Sequence, residues 1–213
     1  KRLDAYLKME SFEENLTKKF GKDYLGKVRN VRVGFAGAGG LGSNCALNLV
    51  RSGFRKLTLV DFDIIIPSNL DRQFYFLDQV GLNKVDALKA NLLRVNPDLD
   101  IKTMVKKIEK DNIKAVFEDC AIVVECFDRA ESKKMLVEEL LNSGKCIIAA
   151  SGVGGIGSSD EIKIHHLKDN LFLVGDLESD IKDKPPISPR VNIAAAKQAD
   201  LVLNYVLGKL KAG

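Results

Sequence analysis

The chain has 213 residues, of which 46% are hydrophobic and 29% are charged, and its formal net charge is +4. This length suits one large domain with a substantial buried core. The near balance of basic and acidic residues argues against a dedicated nucleic-acid surface, and no apolar run reaches the roughly 18 residues of a membrane span. Because the first residues also lack the hydrophobic core of a signal peptide, we expect a globular cytoplasmic protein.

The first 30 residues form a charged segment in which apolar residues recur at roughly helical spacing. Leu3, Leu7, Phe12, Leu16 and Phe20 carry this pattern, which favours one or two amphipathic helices. We expect these helices to pack on the sheet or on a second subunit.

The next stretch carries a glycine-rich motif between a strand and a helix. Residues 31–36 have the pattern of a short buried strand, and a helical pattern over residues 41–51 begins directly behind Gly37, Gly39 and Gly42. Glycines in this G-x-G-x-x-G arrangement allow a tight turn and a close approach of the backbone to a phosphate. The motif therefore predicts a phosphate site at the unpaired N–H groups of that helix.

A second strand, residues 57–60, ends in Asp61. This acid lies ~20 residues beyond the glycines, the offset at which a carboxylate reaches a ribose hydroxyl. Strand, motif, helix, strand and acid in this order predict a nucleotide site. A nicotinamide-dependent oxidoreductase would share the glycines and Asp61, so that class of enzyme remains an alternative.

The segment after Asp61 contains a proline and polar side chains, which predicts a loop that crosses the strand ends. Ser68 or Asn69 can cap a short helix through Phe76. Asn69, Arg72 and Gln73 would then project from one turn and offer donors to a triphosphate. The alternative is that these three side chains are merely solvated.

A strong helical pattern over residues 78–94 places Lys84 in the first turn, beyond Gly81. Only its position in the G-x-x-K sequence distinguishes Lys84 from the other lysines of the chain; a lysine there could bring a mobile positive charge to the predicted phosphate site. The alternative is an ordinary surface lysine.

A third strand (101–105), a short helix (112–117) and a fourth, apolar strand (121–126) follow and deliver Asp128 to the carboxyl end of the sheet. Ligands of open α/β sheets bind at that end, so Asp128 is suited to hold Mg²⁺ between phosphate oxygens. Alternatively, Asp128 caps the helix at residues 130–141.

These motifs together resemble a known family. DFDIIIPSNLDRQ after the glycine-rich unit, then GLNKVDA in a helix that ends in N-P, then a strand that ends in F-D, are similar to the ThiF/MoeB/HesA group of enzymes that activate ubiquitin-like proteins. The resemblance covers roughly residues 31–151. It implies a doubly wound, mostly parallel Rossmann-like α/β sheet with a small C-terminal antiparallel extension.

The resemblance also implies an activity, namely ATP- and Mg²⁺-dependent adenylylation of the C-terminal glycine of a small ThiS-like sulfur carrier ending in Gly-Gly, as in thiamine biosynthesis. It implies that Arg72, Lys84 and Asp128 are catalytic, with Asp128 as the Mg²⁺ ligand, and that the chain is a homodimer. The nucleotide-binding residues that it implies are Gly37, Gly39, Gly40, Leu41, Gly42, Asp61, Asp63, Asn69, Arg72, Gln73 and Lys84.

Three further readings remain open at this point. A dehydratase for threonylcarbamoyladenosine in tRNA and an adenylyltransferase for the molybdopterin-synthase carrier both lie within the family. A non-catalytic partner subunit is the third, although such subunits usually lose the glycines or the lysine.

The chain is predicted to have three successive segments: a helical segment (1–30), a nucleotide-binding core (31–151) and an extension (152–213). The extension is predicted to belong to the same domain as the core. A fifth strand (146–151) leads into a second glycine-rich loop, a hairpin (161–166 and 171–174), a crossover loop (177–190) and a helix (191–207). His165 and His166 alternate on a strand and cannot share one site.

The four cysteines, Cys45, Cys120, Cys126 and Cys146, lie in apolar segments and have no C-x-x-C spacing. We therefore expect buried thiols and no zinc. Buried thiols are poor nucleophiles, so we expect no covalent adduct between enzyme and carrier.

Overall fold

The structure, a computed structural model, describes residues 11–179 and 183–210. Its strands are β1 (Arg32–Ala36), β2 (Lys56–Asp61), β3 (Asp100–Val105), β4 (Ile122–Glu125), β5 (Cys146–Ala150), β6 (Lys163–Lys168) and β7 (Leu171–Gly175). They form one sheet in the order β3-β2-β1-β4-β5-β7-β6. Every neighbouring pair is parallel except β6 and β7, which are antiparallel. The predicted fold class is therefore confirmed.

The strand order reverses direction between β1 and β4, because the chain runs outward from β1 to β3 and then returns to β4. A crevice opens at the carboxyl ends of the strands at such a reversal, and ligands of open α/β sheets bind there. The glycine motif follows β1 and Asp128 follows β4, so both lie beside this crevice.

Seven helices lie on the two faces of the sheet within the described ranges. They are α1 (Phe12–Phe20), α2 (Lys22–Asn30), α3 (Gly40–Arg51), α4 (Lys84–Leu93), α5 (Ile113–Val116), α6 (Ala130–Leu140) and α7 (Ser188–Val206). Val33 and Phe35 of β1 point into the core on one face, together with α1 to α4 and α7, and Ala36 points into the core that contains α5 and α6. No helix in the described residues is long and apolar enough to cross a membrane.

The described part of the N-terminal segment packs into this chain's own core. Leu16 of α1 and Leu25 and Val28 of α2 are buried in the core. The Glu13 carboxylate accepts hydrogen bonds from Arg29, Arg55 and the amide of Asn96, with an N–O distance of 2.8 Å for Arg55. Leu3 and Leu7 lie outside the described residues.

Two predicted helices differ from the observed ones. The helix expected over residues 78–94 begins only at Lys84, because Leu77–Gln79 form a 3₁₀ turn and Gly81 adopts a left-handed φ of +93° that ends the turn. The short helix expected through Phe76 is only a 3₁₀ turn, Pro67–Asn69.

The C-terminal hairpin joins the main sheet through its second strand. β7 lies parallel to β5, so β6 becomes the edge strand. On this edge His165 contacts the Gly175 carbonyl oxygen at 3.1 Å, and His166 stacks on Phe172 with ring centroids 4.6 Å apart. Both histidines therefore have structural partners within the hairpin.

Candidate nucleotide site

The glycine motif forms the turn from β1 into α3, and two of its glycines are required by the backbone. Gly37 has a φ of +109°, and a Cβ there would lie 2.9 Å from the Cys126 carbonyl oxygen. A Cβ on Gly42 would overlap the Gly37 carbonyl oxygen. These contacts explain the tight turn and its close packing against Cys126, the residue after β4, but they do not themselves involve a ligand.

Gly39 and Gly40 differ from those two. A Cβ on Gly39 would meet only the Gln73 side-chain nitrogen, at 3.8 Å, so the space beside it is open. A Cβ on Gly40 would lie 2.9 Å from a methyl carbon of Val191. Leu41 follows in the first turn of α3 and is buried in the core. Gly39 is thus the position where the backbone is accessible to a phosphate.

Asp61 lies at the end of β2 and is bonded to the glycine turn. Its Oδ2 accepts the Ala38 N–H at 2.7 Å, and its Oδ1 accepts the Asp63 N–H at 2.9 Å. A carboxylate has about four acceptor sites, so two remain for a ribose hydroxyl. Asp61 therefore also orders the loop, a structural role that the spacing alone does not predict.

The loop after β2 folds back onto the glycine turn. The Asn44 side chain donates to the Arg72 carbonyl oxygen at 2.9 Å, and the Ser43 hydroxyl accepts the Phe74 N–H at 3.0 Å. The Arg72 Cγ lies 3.6 Å from where a Cβ of Gly40 would stand. The first turn of α3 thus holds the loop that carries Arg72 and Gln73 against the phosphate motif.

The Arg72 guanidinium is half-buried and has local partners. Its Nη1 donates to the Ser68 carbonyl oxygen at 3.0 Å and to the exposed Asp71 carboxylate at 2.6 Å. Both bonds use Nη1, so Nη2 and Nε are the donors that a phosphate can take.

The two amides of this loop have different surroundings. Asn69 is buried, and its Oδ1 accepts the Ile66 N–H at 3.1 Å, so it caps the 3₁₀ turn. The buried Oε1 of Gln73 has no hydrogen-bond partner within the described residues. An unpaired buried acceptor beside the open side of Gly39 is consistent with a ligand hydroxyl or water at this point.

Lys84 is the first residue of α4 and is almost fully buried. Its ammonium group lies 2.7 Å from the Asp63 carboxylate, and its backbone N–H donates to the Asp63 carbonyl oxygen at 3.0 Å. The reading of Lys84 as an ordinary surface lysine is therefore wrong. These contacts bring its charge to the same strand end as Asp61.

Tyr75 connects these parts, and sequence reasoning missed it. Its buried hydroxyl lies 2.6 Å from the Ala38 carbonyl oxygen and 3.2 Å from the Lys84 carbonyl oxygen. Burial raises the pKa of the hydroxyl far above its ordinary value, and the Asp61 charge adds to this effect. Tyr75 thus keeps its proton and joins the glycine turn to the start of α4.

Asp128 is exposed in the turn between β4 and α6. The residue before that helix is Arg129, and no side-chain cap hydrogen bond is present there. The alternative that Asp128 caps the helix is therefore wrong. Among the described residues no three His, Cys, Asp or Glu side chains come together as a metal-binding group. Asp128 is a single exposed carboxylate beside the crevice.

A family model described as "ThiF family" matches residues 12–210. The chain belongs to the ThiF family. It is 35% identical over 132 residues to "Adenylyltransferase and sulfurtransferase UBA4" of Eremothecium gossypii, which covers 62% of this chain and 30% of that protein. It is 33% identical over 150 residues to "Ubiquitin-like modifier-activating enzyme 5" of Caenorhabditis elegans, covering 64% of this chain and 35% of that protein. The chain thus spans about a third of the length of these curated relatives.

Solved structures with the same fold include Escherichia coli tRNA N6-threonylcarbamoyladenosine dehydratase in complex with AMP. That structure has a TM-score of 0.84 and 18% identity, and the match covers 92% of this chain and 94% of the other. E. coli MccB has a TM-score of 0.74 and 22% identity, with 92% and 65% covered. At these identities the likeness concerns the fold of the ThiF family.

A buried ion pair is a second feature of this ThiF-family chain that the sequence reasoning missed. Glu125 at the end of β4 is fully buried, and the Lys133 ammonium lies 3.0 Å from its Oε1. Burial raises the pKa of the Glu125 carboxyl, although the charge and hydrogen bonds of Lys133 oppose this. An acid at the end of a strand, eight residues before a lysine on the next helix, was the available signal.

All four cysteines are free; Cys45, Cys120 and Cys146 are buried, as expected, and Cys126 is half-buried. Burial raises the pKa of each thiol, to about 12 for Cys146, and for Cys126 the neighbouring Cys45 and Glu125 raise it further. These thiols are therefore protonated at neutral pH and weakly nucleophilic.

Proposed function

We propose that this ThiF-family chain catalyses ATP-dependent adenylylation of the C-terminal glycine of a small ubiquitin-like carrier protein. The observation that carries the proposal is the folding of the Asp71–Phe74 loop onto the glycine turn, which brings Arg72 and Gln73 beside Gly39 and Gly40. A dinucleotide site needs the glycines and Asp61, but it does not need this loop.

In the proposed reaction the carrier carboxylate attacks the α-phosphorus of ATP. The new bond joins the carboxylate oxygen to phosphorus, the bond to the bridging oxygen of pyrophosphate breaks, and an acyl-adenylate and pyrophosphate result. The attacking carboxylate is already ionised, so no general base or protein nucleophile is needed. Arg72 and Lys84 contribute by positioning the phosphates and by stabilising the charge that develops on them.

In this account Asp128 holds Mg²⁺. The residues fit the ion, since the carboxylate is exposed beside the crevice and a carboxylate with phosphate oxygens is a usual Mg²⁺ donor set. When bound, the ion neutralises charge on the leaving pyrophosphate. Asp61 orients the ribose through the acceptor sites that Ala38 and Asp63 leave open.

We further propose that the carrier is a ThiS-like sulfur carrier ending in Gly-Gly, as in thiamine biosynthesis, and that the chain acts as a homodimer in the cytosol. Four unpaired cysteines suit a reducing compartment. Large exposed apolar side chains near the site suit protein contacts. They are Phe62, Ile64, Ile66, Phe76, Leu77, Val80 and Leu82.

A second candidate is activation of a small carboxylate on a tRNA nucleoside. It is favoured by the match to the E. coli tRNA dehydratase, which extends over nearly the whole of both chains. The small net charge disfavours it, because RNA binding relies on basic surface. The two candidates share the adenylation chemistry and differ in the molecule that carries the carboxylate.

Nucleotide specificity is tested by comparing the thermal stabilisation produced by ATP–Mg²⁺ with that produced by NAD. The proposal expects a rise in Tm with ATP–Mg²⁺ and none with NAD. It also expects an exchange of pyrophosphate into ATP that depends on the carrier. A rise with NAD and none with ATP–Mg²⁺ would support an oxidoreductase instead. Binding of ATP–Mg²⁺ without exchange in the presence of any carrier would indicate a non-catalytic subunit.

A further inference from the structure

The Glu125–Lys133 ion pair lies directly beneath the turn that carries Asp128. The Glu125 side chain has no exposed surface, whereas the Lys133 side chain is 24% exposed. A buried ion pair contributes little to stability, because desolvation of both charges offsets their attraction. Stability alone is therefore a weak explanation for this pair.

Three elements meet at the Glu125 carboxylate. Its Oε1 accepts the backbone N–H of Phe127 at 2.6 Å, and its Oε2 lies 3.4 Å from the backbone nitrogen of Ala150 in β5. Lys133 of α6 contacts both carboxylate oxygens and also donates to the Ala150 carbonyl oxygen at 2.9 Å. The backbone immediately before Asp128 is thus held by Glu125, and Glu125 is held by Lys133.

The Asp128 side chain has no such support of its own. It is exposed, and no residue in ranges 11–179 and 183–210 forms a hydrogen bond or an ion pair with its carboxylate. On the other side of the turn, the Cys126 carbonyl oxygen packs against Gly37 of the phosphate motif. The position of the Asp128 carboxylate relative to the glycine turn therefore depends on the backbone that Glu125 fixes.

We propose that Glu125 and Lys133 are positioning residues that hold the turn at residues 125–128 so that the Asp128 carboxylate meets Mg²⁺ on the ATP phosphates. This inference rests on the proposed function. The pair affects one property of the site and not another. Weakening the pair lowers the affinity for Mg²⁺ in the presence of ATP, whereas binding of metal-free ATP at Gly39 and Asp61 is retained.

The test uses a double variant, Glu125→Gln with Lys133→Met, which removes both charges together and leaves neither one buried without a partner. ATP binding is measured by calorimetry over a series of Mg²⁺ concentrations and again in EDTA. The Mg²⁺ concentration for half-maximal enhancement should rise by about tenfold, as is typical when a residue supporting a metal ligand is lost. Affinity in EDTA should change by less than about twofold. Lys134→Met, on the exposed side of the same helix, is the matched control.

Two comparisons make the result decisive. Adding the pair of substitutions to Asp128→Asn should produce no further shift in Mg²⁺ dependence, since they act through Asp128. Lys133→Arg, which keeps a cation beside Glu125, should retain part of the Mg²⁺ affinity that the double variant loses. A double variant with a lower Tm but wild-type Mg²⁺ dependence would overturn the inference and leave the pair a structural one. Wild-type protein that binds no ATP–Mg²⁺ would overturn the proposed function itself.

Discussion

The Lys84 ammonium lies 2.7 Å from the Asp63 carboxylate, and the two side chains differ sharply in exposure, at 8% for Lys84 and 48% for Asp63. The cation is therefore held at the strand end while its partner faces solvent. Under the proposed function, the exposed aspartate exchanges the lysine for water when the phosphates bind, and the Lys84 charge is in place before the nucleotide binds.

Replacing Lys84 with methionine keeps the buried aliphatic stem and removes the charge. Exchange of pyrophosphate into ATP should fall by about 100-fold or more, as when one group that stabilises transition-state charge is lost. Stability should change by about 1 kcal/mol or less, since Asp63 stays solvated. The matched control is Lys107→Met, which removes an ion pair with Glu109 from a side chain that is 65% exposed. If Lys84→Met exchanges pyrophosphate as fast as the Lys107→Met control, Lys84 has no catalytic role.

Alanine substitutions at two glycines of the motif should separate folding from nucleotide binding. Gly42→Ala places a methyl group against the Gly37 carbonyl oxygen and should cost about 3 kcal/mol or more in stability. Gly39→Ala meets no backbone and should fold, but its methyl group would occupy the space where a phosphate approaches. Thermal unfolding and ATP calorimetry measure the two effects. A folded Gly39→Ala protein with wild-type ATP affinity would move the phosphates away from this turn.

Stability should depend on pH through Glu13. Partial burial acts to raise the pKa of this carboxyl, but hydrogen bonds from Arg55 and Asn96 and the charges of Arg55 and Arg29 lower it below the ordinary value of 4.5. A pKa that is lower in the folded than in the unfolded state stabilises the fold above about pH 4.5, and this stabilisation is lost as the pH falls through the folded value. Glu13→Gln should therefore lower Tm at pH 7 and flatten its decline in acid. If the curves of Tm against pH run parallel for the wild-type protein and Glu13→Gln, Glu13 contributes nothing to the decline of Tm in acid.

A protein without cysteine should retain adenylation. With each thiol replaced by alanine or serine, and with folding checked by thermal melting, exchange of pyrophosphate into ATP should stay within about threefold of wild type, because protonated buried thiols take no part in attack on phosphorus. Carrier incubated with wild-type protein and ATP–Mg²⁺ should run free of the enzyme on a non-reducing gel. A thiol-labile adduct that disappears with one cysteine would contradict this account.

The sheet and the phosphate motif could be predicted because their signals are local. The central strands β1, β2, β4 and β5 are short, mostly apolar runs, and the glycines of the motif lie within six residues of one another at the turn that needs them. The start of α4 was placed too early because the helical pattern continues through Leu77–Gln79, while the φ of Gly81 is a property of the folded backbone.

The contacts that assemble the site could not be predicted in the same way. Tyr75 reaches Ala38 across 37 residues of sequence, and Ser43 reaches Phe74 across 31. Nothing in the local pattern near Tyr75 indicates which carbonyl oxygen its hydroxyl will meet. Glu125 was overlooked for a related reason, since an acid at the end of an apolar strand is expected at the surface and its burial depends on Lys133.

The central claim, adenylylation of a carrier's C-terminal carboxylate, is tested most directly by mass spectrometry of small carriers ending in Gly-Gly after incubation with the protein. A carrier should gain one adenylyl group only when both ATP and Mg²⁺ are present, and the same carrier lacking its final glycine should gain none. Lys84→Met should abolish the gain, whereas the cysteine-free protein should retain it. Carriers of unchanged mass, in a reaction where a carboxylate on a tRNA nucleoside drives ATP cleavage, would contradict the claim.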